Sequence, residues 1–73
     1  MSPSHTPIVS GLQVIAALKN VGYGHVRTKG SHAVLRFESR VVVVPLHKEL
    51  KRGTTASILR KTGMTVDQLR DLL

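Results

Sequence analysis

The chain has no cysteine and no tryptophan, a single tyrosine and a single phenylalanine, and four acidic residues against eleven lysines and arginines. Each shortage closes something off. Without cysteine there is neither a disulfide framework nor a thiolate metal site, and the composition suits a reducing compartment. With so few rings the chain cannot build the aromatic platform on which single-stranded bases stack. Long apolar runs are missing too. Val41 to Leu46 is far short of the roughly 20 residues that span a bilayer, and Met1 to Thr6 has neither the basic start nor the apolar block of a signal peptide. The expected place is the cytoplasm, with no membrane partner.

What is there in abundance is positive charge, a formal net of +7. Ten of the eleven basic residues lie between Lys19 and Lys61, where Glu38 and Glu49 are the only acids. The basic field therefore belongs to the folded middle of the chain. Such a field favours polyanions through counterion release, nucleic acid foremost, then an acidic protein. A length of 73 residues implies one small domain that buries roughly 60–65% of its unfolded surface.

Residues 1–9, with Pro3, Pro7 and His5, read as a flexible lead-in, and residues 10–73 as the domain. Ser10 and Gln13 have the spacing of a capping box, and Val14, Ala17, Leu18 and Val21 follow at helical intervals, with Ile15 at the border and Gly22 as a stop. Tyr23 to Thr28 can run extended, Ser31 to Phe37 alternates, and the Lys29-Gly30 turn joins them as a hairpin. Alternation sends Ala33, Leu35 and Phe37 to one face and His32, Val34 and Arg36 to the other. Tyr23, His25 and Arg27 would then share a face of the first strand. Glu38-Ser39 turns into Arg40 to Val44, where four β-branched valines favour a third strand and Pro45 ends it.

A basic connector, Leu46 to Arg52, leads to a helix from Gly53-Thr54 to Gly63, with Ile58, Leu59, Thr55 and Thr62 inward. Thr65 and Gln68 repeat the capping-box spacing before a short apolar stripe of Val66, Leu69, Leu72 and Leu73. The order is α-β-β-β-α with a short C-terminal helix. It predicts an α+β fold like that of double-stranded RNA-binding domains, a three-stranded antiparallel sheet packed against two helices.

His32 is the residue best placed for chemistry. If helices cover the Ala33 face, it stands near solvent beside Arg36, with Lys29 and Ser31 in the adjacent turn. Cleavage of RNA by its own 2′-hydroxyl needs a proton acceptor, a proton donor and cations for the crowded phosphorane, and imidazole titrates near neutrality. In that scheme Lys29 and Arg36 stabilise charge, and Ser31 or the amides around Gly30 hold a phosphate. His47 is a second candidate, with loop hydrogen bonding or phosphate contact as its plainer reading. His25 reads as solvated or packed. Arg27, His47, Lys48, Lys51 and Arg52 are candidate RNA contacts, the last three just before a helix whose N-terminal amides attract anions. No histidine pair has the spacing of a helical zinc motif, so neither metal nor cofactor is expected. A catalytic ribonuclease, a non-catalytic double-stranded RNA-binding module and a basic adaptor for an acidic protein all remain open on these grounds.

Taken together, Ser10-Gly11, Leu18, Gly22-Tyr23, Arg27, Lys29-Gly30-Ser31-His32, Val44-Pro45, His47, Glu49-Leu50-Lys51, Gly53-Thr54, Ile58-Leu59 and Gly63-Met64 resemble the HicA-type toxins of type II toxin–antitoxin pairs. The resemblance covers about Ser10 to Leu73. It implies a metal-independent endoribonuclease that cleaves mRNA and halts translation, with His32, the histidine of the Gly-Ser-His motif, as catalyst. It also implies a HicB-like antitoxin covering the His32 face and encoded in the same operon. Tyr23, Thr28 and Ala33 depart from the residues frequent at those places, which are phenylalanine, glutamine and a bulkier side chain.

Overall fold

The computed structural model describes residues 6–73, and Met1 to His5 lie outside the described residues. Six elements follow in order: α1 (Gly11–Asn20), β1 (Gly24–Lys29), β2 (His32–Phe37), β3 (Arg40–Pro45), α2 (Arg52–Thr62) and α3 (Val66–Leu72). The strands form one antiparallel sheet in the order β1-β2-β3. One face carries the helices and the other is bare, as the α+β reading requires.

The predicted capping boxes are both formed. Ser10 Oγ accepts from the Gln13 amide at 3.1 Å while Gln13 Oε1 accepts from the Ser10 amide at 2.8 Å, and Thr65 and Gln68 repeat the exchange at the start of α3. These bonds satisfy amides that a helix start otherwise leaves without partners. Val14, Ala17 and Leu18 are buried along one stripe of α1. Val21 is not part of that stripe. It is the C-cap residue, outside helical geometry at φ −103° and ψ 12°, so the helical period no longer governs it and it is 44% exposed. Gly22 then takes φ +111°, with the Phe37 ring lying where a β-carbon would go.

The core gathers Leu18, Leu35, Leu69, Val14, Val44 and Thr55 as its largest fully buried side chains. Alternation in β2 works as predicted for Ala33 and Leu35, and Val42 and Val44 of β3 are buried on the same face, toward the helices. Phe37 has the same parity but lies at the end of the sheet, half-exposed, with its ring 5.5 Å from that of Tyr23. The Tyr23 hydroxyl is buried and has no hydrogen-bond partner among the described residues. α2 ends at Gly63 in the left-handed region, φ +74°, and Arg40 Nη1 reaches back to the Thr62 carbonyl at 2.9 Å. α3 packs chiefly on α1.

Two departures concern the termini of elements. Val9, placed by its neighbours in the lead-in, is a core residue, and its carbonyl accepts from the Leu50 amide at 2.7 Å. A proline two residues earlier says nothing about an apolar side chain that finds a hole to fill. α1 also starts against the end of β3. The Gly11 amide donates to the His47 carbonyl at 2.9 Å, and a β-carbon on Gly11 would overlap the Pro45 carbonyl oxygen.

Only glycine permits that approach, so Gly11→Ala should destabilise the fold by about 1–3 kcal/mol. At 4–8 °C per kcal/mol for a domain of this size, that is a fall in Tm of roughly 5–20 °C. Gly53 has open space around its missing β-carbon and lies within α2, so Gly53→Ala should stabilise by about 0.5–1 kcal/mol. Thermal melts followed by circular dichroism check both signs.

Candidate active site on the open sheet face

The first hairpin closes tightly. Lys29 pairs with His32 across a two-residue turn in which Gly30 has φ +60° and Ser31 does not enter the positive region. A first central residue with positive φ is what a type II′ turn demands, and glycine meets it without strain. His32 is thus the first residue of β2, with its side chain on the bare face.

The neighbours of His32 follow from register. It lies between Lys29 on β1 and Pro45 on β3. The Leu46 amide donates to the Ser31 carbonyl at 2.6 Å, which makes Ser31 and Leu46 a hydrogen-bonded pair and His32 and Pro45 the non-bonded pair beside it. In such pairs side chains approach more closely, with Cα atoms about 4.5 Å apart. The Pro45 ring therefore flanks the imidazole while its missing amide hydrogen costs the ladder nothing.

The next row joins Arg27, Val34 and Val43, and the one beyond joins Gly24, Arg36 and Val41. Arg27 stands there because of an irregularity. The pairing shifts between His25 and Arg27, so one extra residue enters β1 and exchanges the faces of everything on one side of it. The expectation that Tyr23, His25 and Arg27 share a face is corrected by this bulge. Arg27 joins Lys29 and His32 on the bare face. His25 shares the helix-side parity of Leu35, and its Nε2 lies 2.7 Å from Thr28 Oγ1 at the sheet margin.

Arg36 is also corrected. It shares the His32 face but stands four residues along the strand, about 13 Å away, and its Nε donates to the Glu38 carbonyl at 2.7 Å. That bond draws the guanidinium toward the second turn, so Arg36 is not beside His32. The side chains of Arg27 and Lys29, by contrast, have no hydrogen-bond or ion-pair partner among the described residues. Their charge is available to a ligand.

The connector is held to the same end of the sheet by three backbone bonds: Leu46 to Ser31, Gly11 to His47 and Leu50 to Val9. His47, Lys48, Lys51 and Arg52 are all exposed around it. Lys51 is the N-cap of α2 and makes no side-chain capping bond, and no acid occupies the first turn. The amides of that turn are left for solvent or an anion. Among the described residues no three histidine, aspartate or glutamate side chains gather where they could hold a metal ion, and no helix is long and apolar enough to cross a membrane.

A separate cavity of about 420 Å³ lies at the far end of β2, between Tyr23, Phe37, Arg40, Met64 and Asp71. None of the predicted site residues lines it. Of the residues that do shape the site, Pro45 was missed as a neighbour of His32. Counting back from the Glu38-Ser39 turn would have found it, since the two numbers mirror one another across that turn.

A protein-family model described as HicA toxin of bacterial toxin-antitoxin matches residues 11–64. The chain belongs to the HicA toxin family. This HicA chain is thus a toxin of a toxin–antitoxin system, and the match spans every element from α1 through α2. No curated protein matches it. The Gly30-Ser31-His32 turn and the connector that carry the sequence resemblance are the two segments that this HicA fold brings to one end of its sheet.

If the cations at that end act as one anion site, alanine at Arg27, Lys29, Lys48 or Lys51 should each reduce the slope of log K against log salt by about 0.7–0.9 for RNA. Arg36→Ala, its guanidinium directed away, should change it by less. Fluorescence anisotropy of a labelled RNA hairpin across a salt series makes the comparison.

Proposed function

We propose that this toxin is a metal-independent endoribonuclease that cleaves mRNA and so inhibits translation, with His32 as its catalytic residue. The observation that carries the reading is the position of His32. It is an exposed imidazole on a bare sheet face, paired with Lys29 and one row from Arg27, at the end of the sheet that also carries Lys48, Lys51 and Arg52. The family supports a toxin, and the charge supports a polyanionic substrate.

In the proposed reaction the 2′-hydroxyl oxygen attacks the adjacent phosphorus, its proton leaves to a base, and the 5′-oxygen departs with a proton. The products are a 2′,3′-cyclic phosphate and a 5′-hydroxyl. His32 serves one of these proton transfers. Lys29 and Arg27 offset the charge that builds on the phosphorane oxygens, a role for which Arg27 replaces the distant Arg36. The Ser31 hydroxyl and the turn amides around Gly30 support the bound phosphate. His32 is the one imidazole carried by the strands on this face, with His47 in the connector outside them, so water serves the complementary transfer, which makes for slow cleavage. Lys48, Lys51, Arg52 and His47 hold the RNA backbone and position it without reading its bases.

The partner in this reading is a HicB-like antitoxin encoded in the same operon, which neutralises the toxin by covering the His32 face in the cytoplasm. His25 has no part in the chemistry.

The test is cleavage of purified mRNA in EDTA by wild type and by His32→Ala, His47→Ala and His25→Ala, with melts to confirm folding. His32→Ala should lose about 10²–10⁴-fold in rate and retain RNA affinity, while the other two stay close to wild type. Equal cutting by His32→Ala would remove His32 from the mechanism. Tight, salt-sensitive binding with no cutting by any variant, wild type included, would make the protein a double-stranded RNA-binding module instead.

A further inference from the structure

The sheet has two outer edges, and they are not alike. β1 is broken by its bulge and carries Arg27 and Lys29, devices that discourage another strand from pairing. β3 has neither a bulge nor a charge between Arg40 and Pro45, where the sequence is four valines.

The register says which backbone groups of β3 look outward. Ser31–Leu46 is a hydrogen-bonded pair, so Val44, Val42 and Arg40 bond to β2 in turn, while Val41, Val43 and Pro45 direct their backbone groups away from it. At Pro45 the edge is closed, because the residue has no amide hydrogen and its carbonyl lies against Gly11 at the start of α1. At Val41 and Val43 it is open. Among the described residues neither makes a backbone bond outside the sheet and no strand lies beyond β3. Their side chains, 55% and 45% exposed, stand on the bare face beside Arg36 and Val34.

We propose that the Val41–Val43 edge of β3 is the docking site for a β-strand of the antitoxin, which adds to the sheet as a fourth strand. The proposal rests on the reading of this chain as a toxin neutralised by a protein antitoxin. The fitting strand is acidic, with small apolar residues opposite Val41 and Val43. Outward amides and carbonyls of two residues give room for about four backbone hydrogen bonds. Charge selects the partner: a chain of net +7 attracts an acidic strand and repels a second copy of itself. A strand seated here lies beside β3 in the plane of the sheet, and its partner residues flank the bare face that carries Pro45, the neighbour of His32. Docking and shielding then belong to adjoining surfaces.

Amide hydrogen exchange by NMR tests this on the intact toxin, alone and bound to the antitoxin polypeptide encoded next to its gene. Val41 and Val43 amides should exchange quickly in the toxin alone and slow at least 100-fold in the complex, with the Val42 and Val44 amides protected in both. Val43→Pro, which removes an outward amide without cutting the bonds to β2, should weaken the complex at least 10-fold by calorimetry. Val43→Thr, which keeps the amide, should stay within about threefold. A complex that leaves both amides exchanging as before overturns the edge proposal and leaves the toxin reading standing. Failure of the wild-type toxin to bind that polypeptide overturns both. A toxin that is already dimeric alone, with these amides protected, assigns the edge to a second copy instead.

Discussion

The approach of α1 to the exit of β3 is the constraint on which the remaining structure depends. Gly11 lies so close to the Pro45 carbonyl that no side chain fits between them, and its amide holds the His47 carbonyl. The neighbouring Val9–Leu50 and Ser31–Leu46 bonds tie the same region to the start of α2 and to the first hairpin turn. Three segments distant in sequence, residues 9–11, the turn at Ser31 and residues 45–50, therefore meet at one end of the sheet. A small domain has little apolar area to spend on positioning, and these backbone bonds do it with groups that every residue carries.

From that junction the placement of the basic residues follows. The turn at Gly30 starts β2 on His32. The bulge in β1 brings Arg27 to the face that Lys29 and His32 already occupy. The connector, held at both ends, presents Lys48 and Lys51 beside an uncapped helix start. The positive field gathers around an exposed imidazole because the pairing register and three main-chain contacts put it there. Arg36 and Arg40 bond to carbonyls of the fold instead, so net charge alone overstates what a polyanion would meet.

The sequence made the architecture readable wherever a local rule governs. Both capping boxes, the Gly63 stop, the Gly30 hairpin and the alternation of Ala33 and Leu35 are decided by residues within a few positions of one another. Val21 fails locally, because the helix ends before it; the other misses involve partners from elsewhere in the chain. Val9 is buried because Leu50 and the core come to it, and Phe37 is half-exposed because the sheet ends there. Arg27 changes face through a bulge that leaves no mark in the pattern of a strand exposed throughout. Arg36 was placed beside His32 by parity alone, which specifies a face but not a distance. His32 and the cations of the turn were legible because they are neighbours in sequence; the Pro45 contact needed the register of a second hairpin.

The central claim is that the RNA site is the sheet end built around His32. A titration of isotope-labelled protein with an RNA hairpin made uncleavable by 2′-deoxy substitution, followed through backbone amides and histidine ring signals, tests it most directly. The account requires the largest changes at Arg27, at Lys29 through His32 including the His32 ring, and at Lys48 through Arg52. Changes centred on the cavity of Tyr23, Phe37 and Asp71, with the His32 ring unmoved, would contradict it.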